Sequence, residues 1–396
     1  MFKLPERRFR LGGLMLALSM AVAIVIGSAV PSSAADAIKI GALVQLSGGA
    51  AFLGPSEEAA YRMAVAEINK SGGVLGKKLE LLIADTATDP ATANASAKRL
   101  LNQDHVSVLF ASSTSASREA VLPVVRQNGR TLFFYDAIYE GHACDPSMFV
   151  MGEVPETQIA PIVPYLQKSM AGKSWYFVGN DYNWPQNTAA IAEKVIPEHG
   201  GKLVGTKFVP IGTADFSSIL QDIASIKPNF VLLIMLPSDV VAFMKQFHNQ
   251  GLDQSVTAIA TLVEQSAIAA MGPAAKGLLI PAGYFADATQ GAKTFEAAYK
   301  AELGGNAPAQ NFIALNGYDA LHLWALAVQK AGSVDKEAVT KALPEVARDG
   351  PRGKVAYSAT TRHATFPIYL ARIDEQGRPT IIESFGPVDP GPQCKF

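Results

Sequence analysis

Four hydroxyl side chains in a row, Ser112, Ser113, Thr114 and Ser115, stand between an apolar run at 106–110 and a helical pattern at 115–127. The first amides of a helix have no partner inside it and carry partial positive charge. With the Ser115 hydroxyl they can hold a carboxylate or an amide oxygen. Ser115 serves equally well as a plain helix cap, because Ser and Thr are favoured there. Tyr135 and Asp136 close the next apolar run, 131–135. A carboxylate at that point can pair with an ammonium or accept N–H bonds from an amide or guanidinium. Capping the following turn is its alternative use. Catalytic chemistry finds little support. The six histidines show no HExxH spacing, no GxSxG elbow occurs, and no Cys/His cluster suits zinc. The glycines near Gly72 lack the GxGxxG order of a dinucleotide site. No enzyme activity, metal or cofactor is implied.

The elements that would carry these residues alternate. Ile38–Val44 reads as a strand, followed by a helix at 57–69 whose Tyr61, Val65 and Ile68 share one face. Leu79 opens a strand at 79–84, Pro90 a helix to Asn102, and 106–110 and 131–135 are further strands completing a first sheet. The second half repeats the pattern, with strands at 174–179, 202–209, 229–236, 257–261 and 278–284. A long helix covers 317–330. This is an α/β chain of doubly wound, largely parallel sheets with short connections.

A basic start (Lys3, Arg7, Arg8, Arg10), an apolar run at 11–26 and the small residues Ser33, Ala34 and Ala35 make a secretory signal at 1–35. A membrane anchor is the competing reading, but no charged stop-transfer flank follows. The whole chain has net charge −1, and removing this leader (four basic residues, one Glu) leaves −4. That balance gives no general attraction for nucleic acid or anionic lipid. At 396 residues, two domains are the default expectation. Cys144 and Cys394 are the two cysteines. After export they can form one disulfide tying the C-terminal tail to a loop, or remain unrelated thiols.

Several segments, in order, resemble the periplasmic solute-binding proteins of branched-chain amino acid and amide/urea ABC importers. EINKSGGVLGKKLELLIADTATDP at 67–90 resembles the family's opening helix, turn and second strand. QLSGGAAFLGP, TADFSSILQDIASIKPNFVLL, NGYDALHLWALAVQKAGS and PRGKVAYSATTRHATFPIYLARI continue the match. The amide- and urea-binding branch is most similar through TSASREAVLPV, LFFYDAIYEG and NDYNWPQN. Asp136 stands where that branch has proline, Ala137 where it has a small hydroxyl residue, and Ser113 where it has an aromatic.

The resemblance implies the type I periplasmic binding fold: two Rossmann-like lobes, 36–154 plus 286–358 and 155–285 plus 359–396. Three crossings, near Pro155, near Phe285 and at 357–366, would form the hinge. It implies a cleft in which Ser115, and secondarily Ser113, contact the solute beside Tyr135, Asp136 and Ala137. Tyr182 would reach in from the opposite lobe with Trp184 as apolar cover. Glu264 would meet an amino group, Tyr284 would close the hinge side, and Phe52 would wall the apolar end. The implied function is capture of an amino acid or small amide in the periplasm for ABC permease subunits. A ligand sensor and a secreted hydrolase are the competing classes, opposed by the export signal and by the missing catalytic motifs respectively.

Overall fold

The computed structural model describes residues 37–394, so the expected export signal and its cleavage point lie outside the described residues. The first half builds βα units: β1 (Ile38–Val44), α1 (Gly54–Lys70), β2 (Leu79–Asp85), α2 (Pro90–Asn102), β3 (Val108–Ala111), α3 (Ser115–Asn128), β4 (Leu132–Tyr135) and β5 (Met148–Val150). They make a five-stranded parallel sheet in the order β2-β1-β3-β4-β5. VLFA of β3 and LFFY of β4 are buried at every position, as strands covered on both faces must be. The sheet does not end at 131–135, as the sequence predicts. β5 adds a fifth strand, with Phe134 opposite Phe149. Three residues are too few to display a period, which hid it.

The second half continues with α4 (Pro155–Ser169), β6 (Ser174–Asn180), α5 (Asn183–Glu198), β7 (Lys202–Val209), α6 (Ser217–Ile226), β8 (Phe230–Ile234), α7 (Pro237–Asn249), β9 (Thr257–Ala260), α8 (Gln265–Met271) and β10 (Leu279–Ala282). Its strands run β7-β6-β8-β9-β10, the same winding order as the first sheet, and are parallel. Each sheet therefore has a switch point, between β1 and β3 and between β6 and β8. Crevices open there at the carboxyl ends of the strands.

The chain then passes through α9 (Gln290–Leu303), α10 (Phe312–Ala331), α11 (Lys336–Ala342), β11 (Ala347–Gly350), β12 (Gly353–Tyr357), β13 (Ala364–Ile373) and β14 (Pro379–Val388). β13 lies antiparallel to β10 and carries β12 and β14 beside it, extending the second sheet to nine strands. Helix α10 packs against α1 of the first half. Gly317 makes that approach possible, since a Cβ there would sit 2.6 Å from the Tyr61 ring. Among the described residues, no helix is long and apolar enough to cross a membrane.

Polar side chains tie together the segments that pass between the sheets. Glu153, fully buried just after β5, accepts from Gly283 N (3.1 Å) just after β10 and from Asn316 Nδ2 (3.0 Å) on α10. The third passage, β12 to β13, is bridged to β5 by Val150 and His363. Beside it Arg352 meets Asp319 at 2.9 Å with both side chains buried, and Arg348 meets the same carboxylate at 2.5 Å.

Cys144 and Cys394 form a disulfide, with a Cα–Cα separation of 5.6 Å. Gln393 reinforces it by accepting the His142 amide at 2.9 Å. The bond closes a loop of 250 residues and restricts mainly the unfolded chain. Cys144→Ser or Cys394→Ser is expected to lower stability by about 2–4 kcal/mol. Thermal unfolding with and without reductant checks it; a parent protein indifferent to reductant contradicts the expectation.

Candidate functional site

The loops at the carboxyl ends of the two sheets meet. Ser238 Oγ, at the start of α7, donates to Gly49 O in the β1–α1 loop at 2.9 Å. Ser266 Oγ at the start of α8 reaches Phe52 O at 3.4 Å. Asn183 Nδ2 at the start of α5 donates to Glu140 Oε1 at 3.3 Å. Buried polar groups line both sides of this seam.

At the α3 side the hydroxyl run behaves unevenly. Thr114 is the cap, its Oγ1 accepting Ser117 N at 3.1 Å. Ser115 Oγ donates to Glu140 Oε2 at 2.6 Å. Arg118, one helical turn on, donates to Glu140 Oε1 at 2.8 Å and lies over the rings of Tyr135 and Tyr139, 5.1 and 4.7 Å from their centroids. Tyr135 donates its hydroxyl to Ser113 O at 2.6 Å. The Tyr182 hydroxyl approaches this group from the second sheet. Its pKa is held well above the ordinary tyrosine value, first by burial and then by the neighbouring Tyr135 and Glu140. The Ser115 helix start, Tyr135 and Tyr182 are thus brought together. Trp184 is buried in the first turn of α5, its ring 6.2 Å from that of Tyr182.

Toward the middle, Ser112 Oγ donates to Glu57 Oε1 at 2.8 Å, and Tyr61 donates to Asp136 Oδ2 at 2.6 Å. Burial pushes the Glu57 carboxyl up to about 8; Ser112 opposes that shift, while Asp136 and Glu264 add to it. Burial likewise raises Asp136 to about 7, against the pull of Tyr61 and Arg352. Glu57 Oε2, Asp136 Oδ1, Ser113 Oγ and Gln45 Oε1 from the first sheet, and Thr261 Oγ1 from the second, are buried without a hydrogen-bond partner among the described residues. Ala137 is buried beside this wall, its carbonyl against Gly152.

On the α8 side Glu264 acts as a cap. Its Oε2 accepts from Ser266 N and Oγ at 2.7 and 2.6 Å, and Oε1 from Ala267 N at 2.6 Å. Burial raises its pKa. Tyr284 donates to Glu296 Oε1 at 2.7 Å and packs on Phe295. Phe52 is half-buried on the core, its carbonyl turned to Ser266.

Sequence reasoning passed over Gln45, Glu57, Arg118, Glu140 and Asn183. Arg118 had a local signal, since position i+3 shares a helical face with Ser115. Glu140 and Asn183 lie inside the segments LFFYDAIYEG and NDYNWPQN, but nothing local indicates that they meet. Glu57 reads as an ordinary first-turn acid.

Two sheets of one winding order, carboxyl edge to carboxyl edge, make this the type I periplasmic binding fold. A periplasmic binding protein family model matches residues 37–378, and the chain belongs to that family. It is 25% identical over 368 residues to a Leu/Ile/Val-binding protein homolog of Brucella suis, covering 91% of this chain and 93% of that one. Among solved structures, a solute-binding protein of an ABC transporter from Rhodopseudomonas palustris, in complex with 3,4-dihydroxybenzoic acid, superposes with TM-score 0.79 and 26% identity over 90% and 99% of the two chains. A branched-chain amino acid transporter substrate-binding protein from Streptococcus pneumoniae, in complex with isoleucine, gives TM-score 0.77 and 19% identity over 88% and 98%.

The raised carboxyl values give a pH test. Folded Glu57 and Asp136 keep protons that the unfolded chain, with values near 4, has lost. Their contribution to stability is complete below the unfolded values and is lost as pH rises through 7 and 8. The denaturation midpoint of the parent protein is expected to fall relative to that of Glu57→Gln between pH 6 and 9. A difference that grows in the parent's favour over that window overturns the assignment.

Proposed function

We propose that this protein is the periplasmic substrate-binding component of an ABC importer, capturing an amino acid between two lobes and presenting it to the permease. The lobes are 36–154 with 286–358 and 155–285 with 359–396, turning about three passages, two of them joined by Glu153 and Gly283 and the third bridged by Val150 and His363. An open form samples the closed one, and a solute touching both lobes favours closure. The carrying observation is the set of unpartnered buried polar atoms on Gln45, Glu57, Ser113, Asp136 and Thr261 between opposed carboxyl edges. Buried polar groups are ordinarily satisfied, and a group left so is costly. A bound solute supplies the missing partners.

Chemistry favours a solute with an ammonium group. Asp136 and Glu264 both add to the cost of charging Glu57. Arg118 and Arg352, the fully buried arginines, are already paired with Glu140 and Asp319. An anion without an amino group, such as the benzoate-type ligand of the Rhodopseudomonas relative, meets acids without a free buried cation. An amino acid places its ammonium on the acids and its carboxylate at the first amides of α3 beside the Ser113 hydroxyl. Ser113 is the freer contact, because Ser115 already holds Glu140. A neutral amide is the second reading, supported by carboxyls that stay protonated near neutrality and can donate as well as accept. Catalysis has no part in either, and export directed by residues 1–35, which are then cleaved off, completes the scheme.

Micromolar affinity corresponds to about −8 kcal/mol, within reach of a few charge-assisted hydrogen bonds in a dry cleft. Calorimetry with amino acids, neutral amides, urea and benzoates separates the readings. Binding of an ammonium draws a proton off Glu57, so amino acid affinity is expected to rise from pH 6 to 8, by up to about tenfold per unit for one proton released. A neutral amide that binds more tightly, with no such rise, displaces the amino acid reading. Glu57→Gln is expected to weaken amino acid binding at least about tenfold, or roughly 1.4 kcal/mol. Unchanged affinity in that variant removes Glu57 from the site.

A further inference from the structure

The chain crosses between the sheets a fourth time. β14 ends at Val388, paired with Phe366 at the start of β13 in the second sheet. The six residues 389–394 then return to the first sheet, where Cys394 joins Cys144 in the loop between β4 and β5. Hydrogen bonds seat the end of this tail on that loop. Gln393 is buried, accepts the His142 amide through Oε1, and places its carbonyl 3.2 Å from His142 Nδ1. Gly141 permits the approach, since a Cβ there would sit 2.6 Å from Gln393 Oε1. His142 Nε2 in turn lies 3.3 Å from Glu156 Oε1 in the first turn of α4. At its near end the tail stands apart from the third passage. Ser358, Thr360 and Thr361 face Asp389, Gly391 and Pro392 across a cavity of about 590 Å³.

The tail and the three passages differ mechanically. A passage runs on into a further element and can absorb rotation in its own φ and ψ. The tail is fixed at its far end by the sulfur bond, and without that bond only hydrogen bonds would hold it. It is also short and stiff. Six residues reach at most about 20 Å, and Pro390 and Pro392 each fix φ. The bond is closed in an arrangement where Ser238, Ser266 and Asn183 already bridge the seam.

We propose that the Cys144–Cys394 bond is a strap across the hinge, which limits how far the lobes open and biases the solute-free protein toward the closed form. The inference rests on the two-lobe reading of the chain. Apparent affinity scales with the fraction of protein in the binding-competent state, so a strap of this kind tightens capture without touching the solute. A bond that only restricted the unfolded chain would change stability and leave the motion of the lobes alone.

Small-angle scattering of the solute-free mature protein tests it, in the parent and in Gly49→Trp. Gly49 lies at the seam, where a Cβ would already be 3.2 Å from Ile211 Cγ2 and from Leu236 Cδ1 of the second half. A tryptophan there wedges the lobes apart. Each protein is measured with the bond intact, after a phosphine reductant, and with Cys144→Ser and Cys394→Ser combined. Cys144 is exposed, so the reductant reaches the bond in a chain already folded, which keeps the test open if the serine variant does not fold. Against the roughly 20 Å radius of gyration of a compact chain of this length, the increase caused by the wedge is expected to be at least about twofold larger without the bond. An increase of the same size or smaller without it overturns the strap and leaves the two lobes standing, even where the unfolding temperature falls. If the wedge gives no increase with or without the bond, the lobes do not part, and the two-lobe reading fails together with the strap.

Discussion

Bringing two parallel sheets together at their carboxyl edges buries carboxylic acids, and the arrangement of the interior follows from how each one is satisfied. A buried charge without a partner is too costly to keep, so it is paired, hydrogen-bonded or neutralised. Asp319 has Arg352 and Arg348. Glu140 has Arg118, Ser115 and Asn183. Asp239 is held by Asn180 at 2.5 Å and by the Gly212 amide. Glu153 takes its bonds from Asn316 and Gly283, the same bonds that join the passages between the sheets. Glu57 and Asp136 differ, each having one oxygen bonded and the other bare. They hold protons instead. The acids with complete partners support the framework, and the two with incomplete ones are those on which the proposed ammonium contact rests.

The relatives that this chain resembles in shape hold different ligands. One is bound to isoleucine and another to a dihydroxybenzoic acid, on folds that superpose closely with this one. One framework therefore serves ligands of different chemistry. Here the cationic groups of the interior are internally matched, while acceptor oxygens are in surplus.

Much of the architecture was legible in the sequence. Runs such as 230–234 and 132–135 are apolar at every position because helices cover both faces, and β1, α2 and β7 match the predicted limits. β5 was lost because it is too short, and β14 because an edge strand of mixed burial carries no continuous run. α10 begins five residues before the predicted 317, its start set by the Asn311 cap on Ala314 N. At the site, local sequence could place Ser113, Ser115, Tyr135 and Tyr182 at element ends. It could not show that Glu140 would fold back onto Ser115, since that contact spans 25 residues across a loop. Nor could it separate Ser113, with its hydroxyl bare, from Ser115, whose hydroxyl is taken.

The disulfide imposes an order on biogenesis. Cys144 lies 250 residues ahead of the cysteine it joins, so throughout synthesis of the second sheet its thiol has no native mate. The native bond can therefore close only after almost the whole chain has been made. An oxidant acting sooner meets a solitary sulfur, and its product is a mixed disulfide or a cross-link to another molecule. Correct pairing thus depends on the Cys144 thiol staying unreacted until its distant mate is available.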